Sequence, residues 1–451
     1  MTAEATPELY GIIEEKGIEE VSLSERRGSP KAVFGLWMAA NVEFATLTTG
    51  ALATCLTGLS FGAAMASILL ANLIGAVILG YFSTFGVEYG RPQMIQGANW
   101  FGTLGNKLPS LLNFFGGFSW FAVNTTAGAY ALNLVLHTGL IPAVIGMSAV
   151  QIAIAVVGYD LIHAAEKYLM YLLVLAFLGL TVVAVKHLGL SAPASPQTIS
   201  QMGGFSGAFI LSTAIMVGYQ VGWIPYSSDY TRYLRTTTDT AGVKKTVFTY
   251  AFWGALLSCV WIEGLGALIG SSIPFFSKPS DLLTTWMPEW FKLPFLIAVV
   301  LGTVSANIIN IYSATMSILA VGIKLKQHVA SIGTGIIGAV ISVVVVNSFV
   351  SSYTNFLLVL GYWTMPWIAV TLLCHLTDRV SRLPVSAAFV AWIAATLVSV
   401  PFWNQQLFTG PFAARFPQFG DSTFIVSFVV AAVLYFALTT GKDATVTAAA
   451  E

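Results

Sequence analysis

Long apolar runs separated by short polar loops dominate this chain. Twelve runs reach the roughly 20 residues that a helix needs to cross a bilayer. They cover about 33–55, 61–85, 109–136, 140–158, 166–186, 204–226, 246–270, 293–323, 329–350, 353–375, 385–403 and 422–440. This pattern predicts an all-α membrane protein with 12 transmembrane helices. Two runs carry interruptions. Run 1 contains Asn41-Val42-Glu43, and run 6 reads Gly218-Tyr219-Gln220-Val221-Gly222-Trp223-Ile224-Pro225. Irregular backbone at membrane depth survives only where it is buried in protein or lines a cavity. Runs 1 and 6 each open a group of five, and interrupted helices at matching places in two repeats point to a midplane binding site.

Composition agrees. The chain has 451 residues, of which 56% are hydrophobic and 9% charged, and its mean hydropathy is +0.80. A soluble domain carries roughly 25% charged residues, so the lipid bilayer is the expected surrounding. A formal net charge of zero gives no sign of a nucleic-acid partner. Cys55, Cys259 and Cys374 lie in apolar runs without metal-ligand spacing. If the N-terminus is inside, sixteen of the twenty Lys and Arg fall in inside segments; Lys186, Lys278, Lys292 and Arg415 fall outside. Such a bias favours both termini in the cytoplasm.

Polar side chains inside the runs are the candidate chemistry. Asn307 and Asn310 sit three residues apart, hence on one helix face, within an uncharged stretch from Leu293 to Ile323. Trp120 and Asn124 share a face of run 3, with Asn113, Ser119, Thr125 and Thr126 nearby. An indole offers a flat surface and an amide both donor and acceptor, so the pair suits a flat polar heterocycle. Packing and interhelical hydrogen bonding would explain the same residues without a ligand. Tyr219, Gln220 and Trp223 in run 6 could close a sandwich on such a ring, or form an aromatic cluster at a kink. Glu43 in run 1 is an acid where a charge costs roughly 2.5–3.5 kcal/mol on insertion scales. It is a candidate proton carrier or cation ligand, with Asn41 beside it. Glu263 in run 7 is a second intramembrane acid. The five histidines lie mostly at run ends, and none pairs with a buried nucleophile at a recognisable spacing, so an enzyme is not expected.

Several segments together resemble the nucleobase–cation symporter family 1, the cytosine and purine permeases. They are Gly90-Arg91-Pro92-Gln93-Met94-Ile95 with Phe101-Gly102, Gly158-Tyr159-Asp160-Leu161-Ile162-His163 with Glu166-Lys167-Tyr168, Trp223–Tyr226 with Asp229-Tyr230-Thr231-Arg232-Tyr233, Asn307–Ser313, Phe356–Trp363 and Gly410-Pro411-Phe412. The fungal and actinobacterial cytosine/purine branch looks nearer than the hydantoin branch. The resemblance implies a leucine-transporter-like fold: a 5+5 inverted repeat over 32–187 and 204–376, then two extra helices over 384–440. The flanks, 1–31 and 441–451, are expected as cytosolic tails.

The resemblance also implies a substrate site between runs 1, 3, 6 and 8. Trp120 and Asn124 match the stacking aromatic and amide, and Asn307 matches a base-contacting amide. Tyr219, Gln220 and Trp223 are kept together, and Asn310 is left among substrate, gate and helix contact. The implied function is import of a nucleobase, cytosine or a purine, by cation symport in the plasma membrane, by a monomer without cofactor. The family's sodium-coupled members carry two adjacent hydroxyl residues on run 8; here they are Ser305 and Ala306. One oxygen fewer weakens a hard-cation site, so H+ is expected over Na+. Na+-coupled import of allantoin, hydantoin, uracil or another heterocycle is the alternative, and a transporter-like receptor the remote one. A second departure, Gly97-Ala98 where the family often has Ser-Arg, has no physical account.

Overall fold

The structure, a computed structural model, describes residues 17–441 apart from 158, 189–192, 237–238, 274–277, 285 and 378; the side chains of 155–168 and 283–284 also lie outside that description. So do the parts of the expected tails over 1–16 and 442–451, and the side chains of the motif following run 4.

Every apolar run falls on helix, and the runs keep their numbers below as spans. Among the described residues, seven helices are long and apolar enough to cross a membrane alone. Lys107–Leu136 and Leu140–Ile154, which meet at 118°, add an eighth if taken as one bent pair, and the remaining runs form shorter apolar helices. Span 1 divides into Ala32–Asn41 and Phe44–Cys55. Between them Val42 leaves the helical region (φ −83°, ψ 70°) and Glu43 is fully extended (φ −148°, ψ 175°). Span 6 is interrupted more gently. Gly204–Val221 tightens into a 3-10 turn, Ile224–Tyr226, and resumes as Ser227–Thr231. Pro225 has no N–H to continue the α-helical ladder, and 3-10 bonding is the short-range substitute.

Two groups of helices pack separately and meet at a seam. Spans 1, 2, 6 and 7 contact one another, as do spans 3, 4, 8 and 9. Span 7 is Thr240–Gly270, span 8 is Glu289–Ala320 and span 9 is Gln327–Val345. Close backbone approach holds the first group: a Cβ at Gly50 would overlap the Glu263 backbone of span 7. Spans 3 and 8 form the tightest pair of the second group, with Gly117 against Ala314. Span 10, Phe349–Leu376, lies against span 6 and against span 12, Thr423–Ala437, which also packs on span 11, Ala387–Ser399.

The outer surface is apolar, as lipid contact requires. Leu69, Leu70, Leu73, Ile74 and Val77 are exposed on span 2, Phe61–Tyr89, and Ile336, Val340 and Val344 on span 9. Soluble monomers rarely expose contiguous apolar patches of that kind.

Two features were not expected from the sequence. A short antiparallel ribbon joins Arg379–Ser381 to Thr439–Gly441. Residues 17–31, placed by the sequence reading in a tail, dock on the body. Arg26 donates to the carbonyls of Val21 (3.1 Å) and Val87 (2.6 Å), Arg232 donates to the Glu19 carbonyl (3.2 Å), and Gly28 pairs with Leu234. Ile18 packs on a cluster from spans 3, 8 and 9. The strap therefore touches both helix groups.

Candidate functional site

The seam between the two groups collects the aromatic residues singled out by sequence. Trp120 on span 3 and Trp223 at the span 6 turn lie nearly parallel, with an interplanar angle of 10° and centroids 6.1 Å apart. Both are about 1% exposed. Tyr219 meets Trp120 edge-on at 5.5 Å, and Trp37 of span 1 meets Trp223 edge-on at 6.0 Å. The T-shaped neighbours fix the two indole planes, as the ring quadrupole favours. A flat ring between two others needs two stacking gaps of about 3.5 Å each. The centroids stand closer than that, so a heterocycle enters between the indoles only if spans 3 and 6 move apart.

Spans 3 and 8 run antiparallel in a register that ranks the amides. Asn113 donates to Ser317 (2.7 Å), Gly117 faces Ala314, Asn307 donates to the Phe121 carbonyl (3.0 Å) and Gly128 faces Thr303. Asn124 is thus level with Asn307, and Trp120 and Phe121 with Asn310. The two asparagines of span 8 are in different circumstances. Asn307 Nδ2 donates to Phe121 O, Thr125 Oγ1 (2.9 Å) and Gln151 Oε1 (3.0 Å), and its Oδ1 accepts from Asn310 Nδ2 (3.2 Å). Thr125 also donates to Gln151 Oε1 (2.7 Å). Asn307 is the centre of a knot joining spans 3, 4 and 8. Asn310 Oδ1 has no partner, nor has either amide atom of Asn124. The same holds for Gln220 Nε2 and for the indole N–H groups of Trp120 and Trp223. Gln220 Oε1 accepts from Cys259 Sγ (3.2 Å).

Buried polar atoms are almost always partnered in proteins, and each exception calls for an explanation. Such atoms occur at several places among the described residues, and one group of them, on Asn124, Asn310 and the indoles of Trp120 and Trp223, belongs to the aromatic pair and the span 3–span 8 contact. The arrangement can stack a flat ring and present donors and acceptors to its edges.

The break in span 1 supplies the acid. Glu43 is 2% exposed, and neither carboxylate oxygen forms a well-made hydrogen bond, although the Tyr219 hydroxyl lies close by. Tyr219 instead shares a hydrogen with Thr46 at 2.5 Å. Asn41 Nδ2 donates to Trp37 O (2.8 Å), leaving Asn41 Oδ1 without a partner. Ser305 and Ala306 are buried on span 8, which touches the second half of span 1. No hydrogen bond joins Ser305 to the free oxygens of Asn41 or Glu43. No group of three metal-ligating side chains occurs among the described residues.

Residues 20–382 match the family model described as the permease for cytosine/purines, uracil, thiamine and allantoin. The chain belongs to that family. A putative purine-cytosine permease of Bacillus subtilis is 30% identical, over 94% of this chain and 96% of its own length. The purine-cytosine permease of Emericella nidulans is 25% identical, over 94% of this chain and 88% of its own length. The fold matches that of Mhp1, a nucleobase-cation-symport-1 family transporter in a closed conformation with bromovinylhydantoin bound. Its TM-score is 0.74 at 15% identity, over 94% of this chain and 95% of that one. The expected family and transporter fold are thus met: this is a multi-pass membrane permease, not an enzyme.

Three residues of the permease's seam were missed by sequence reasoning. Tyr353 on span 10 bonds Thr49 (2.6 Å) and the Ala45 carbonyl (3.1 Å) and meets Trp120 edge-on. Phe356 meets Trp120 edge-on at 5.1 Å. Together they cover Trp120 from span 10. Gln151 holds Asn307. A lone amide in the apolar run 4 was a usable signal for Gln151, and Phe356 opens a segment that carries the family resemblance; Tyr353 had no signal beyond a polar start to run 10.

Proposed function

We propose that the permease imports a nucleobase or closely related flat heterocycle, cytosine or a purine, by proton symport. The parallel Trp120–Trp223 pair, near a set of buried polar atoms without partners, carries this reading. The base slides between the indoles. Asn124 and Asn310 Oδ1 read its edges, and Tyr219 closes the side; Gln220, whose side chain lies against Gly75 of span 2 and Cys259 of span 7, braces span 6 instead. Stacking is sequence-tolerant and contributes about 1–3 kcal/mol per base. Selectivity therefore rests on the amides, because a site built for edge hydrogen bonds rejects rings that lack the matching groups. Asn307, despite its matching position, acts on substrate only by holding Asn310 and span 3 in place.

Protons are the coupling ion on the strength of Glu43. An acid at a helix break, without a well-formed partner and next to the slot, can load a proton and release it as the two helix groups rock about the site. Sodium would need several oxygens, and Ala306 provides none from its side chain. The protein works as a monomer in the plasma membrane with both termini cytoplasmic, the orientation that puts most Lys and Arg inside.

The test is uptake of labelled cytosine, adenine, hypoxanthine, uracil and allantoin into cells lacking their own permeases. We expect accumulation of at least one base, rising as external pH falls with sodium absent. Accumulation that needs sodium and ignores pH would replace the proton by Na+. Absence of uptake for all five, with no binding to the purified protein, would end the nucleobase reading.

A further inference from the structure

Glu263 of span 7 is a second buried acid that the import cycle above leaves unused. It is fully buried. Its Oε2 accepts from Asn72 Nδ2 of span 2, while its Oε1 and Asn72 Oδ1 have no partner. Asn72 Nδ2 also donates to the Ile68 carbonyl at 2.9 Å. No Lys, Arg or His pairs with Glu263 among the described residues. A buried carboxylate with one amide donor and no cation is far from compensated; an acid carrying a proton avoids that penalty.

Two contact tracks lead from Glu263 toward Glu43, partly through side-chain hydrogen bonds and partly through packing and chain connectivity. On one side Gly50 lies against the Glu263 backbone, and its neighbour Thr49 bonds the Tyr353 hydroxyl at 2.6 Å. Tyr353 in turn bonds the Ala45 carbonyl, two residues from Glu43. On the other side Cys259, one turn before Glu263, donates to Gln220. Gln220 follows Tyr219, which lies beside Glu43 and bonds Thr46. Gly75 of span 2, one turn from Asn72, packs on the Gln220 side chain. The titratable groups electrostatically linked to this acid are Cys259 on its own helix and Tyr353 from span 10, both of which also feel Glu43 from span 1. Spans 2 and 6 present the amides Asn72 and Gln220. Tyr353 is the member of the first track that span 10 carries, so a movement of span 10 makes or breaks it.

We propose that Glu263 is a second proton-exchange site of the transport cycle, linked to Glu43 through the walls of the substrate slot. The inference rests on the proton-coupled reading. In the packed state Glu263 holds a proton on its carboxyl group. When span 10 withdraws Tyr353 on the inward-open side, that proton passes to cytoplasmic water, and external water reloads the carboxylate in the outward-open state, so each cycle carries one proton besides that of Glu43.

The experiment uses the full-length protein in proteoliposomes, with the labelled base that the wild type accumulates. Proton-to-substrate ratio is read from the pH gradient that just nulls net flux, alongside initial rate against external pH without sodium. Glu263→Gln is expected to keep importing while its ratio falls by one and its pH profile flattens; Glu263→Asp restores both. Asn72→Leu is the second variant, expected to move the midpoint of the pH profile by about half a unit or more without changing the ratio. A Glu263→Gln protein with the wild-type ratio and profile, or, if that variant does not fold, an Asn72→Leu protein with an unmoved midpoint, overturns the inference while leaving the Glu43 reading intact. A wild type whose uptake ignores the pH gradient removes the proton-coupled reading itself, and this inference with it.

Discussion

Around Asn307, spans 3, 4 and 8 are tied by amide and hydroxyl groups that use one another fully. One turn away, around Asn310, Asn124 and the Trp120–Trp223 pair, polar atoms are equally buried and have no partner. Both regions lie between apolar helices. The first gains from its hydrogen bonds now, about 0.5–1.5 kcal/mol net for each. The second keeps donors and acceptors without protein partners, and a ligand with matching edges would pair them. On the proposed reading, the difference separates an amide that builds the scaffold from one left to meet substrate, although the two residues share a helix face.

The comparison breaks most visibly at the indoles. Trp120→Ala or Trp223→Ala removes one stacking face, and base affinity should fall roughly 10- to 100-fold, at about 1.4 kcal/mol per tenfold. Competition binding on purified protein reads this, with Trp→Phe expected to recover most of the loss. Next comes Asn307→Ala. It removes the donor that ties span 8 to the Phe121 carbonyl, Thr125 and Gln151 and takes away the acceptor of Asn310 Nδ2; a buried polar atom left unpaired costs about 1–3 kcal/mol, so the melting temperature should drop clearly even without substrate. Asn124→Ala should leave melting within a few degrees and weaken binding about tenfold, because no intramolecular bond is lost. Smallest is Ala306→Ser. Adding one hydroxyl should make uptake detectably sodium-sensitive without changing which base is carried; unchanged sodium response would detach that position from ion choice.

Much of the fold was legible because lipid imposes a simple rule: a helix must span the hydrocarbon, and apolar run length reports it. The breaks at Asn41–Glu43 and Gly222–Pro225 were legible for the same reason, since polar or helix-breaking residues at depth need a cavity. The relative standing of Asn307 and Asn310 was not. Their spacing is the same whichever one meets the ligand, and only the register between spans 3 and 8, with Gln151 arriving from span 4, shows which amide is already occupied. Tyr353 was invisible for a related reason: its contacts with Thr49 and Ala45 join residues about 300 apart in the chain. The docking of residues 17–31 was also hidden, because its bonds run largely to backbone carbonyls such as Val87 and Tyr233, which leave no mark in side-chain patterning.

The distinction between occupied and waiting amides is tested most directly by one paired measurement. Purified Asn310→Ala and Asn307→Ala proteins would each be assayed for thermal stability and for equilibrium binding of the base that the wild type transports. Asn310→Ala gives up a single intramolecular bond, to Asn307 Oδ1, so it should melt much less far below the wild type than Asn307→Ala does, and it should bind about tenfold more weakly, in line with the loss of one edge hydrogen bond of about 1–2 kcal/mol. Asn307→Ala should melt well below the wild type. An Asn310→Ala protein that binds as the wild type does, beside an Asn307→Ala protein that keeps its stability and loses binding, would contradict the account.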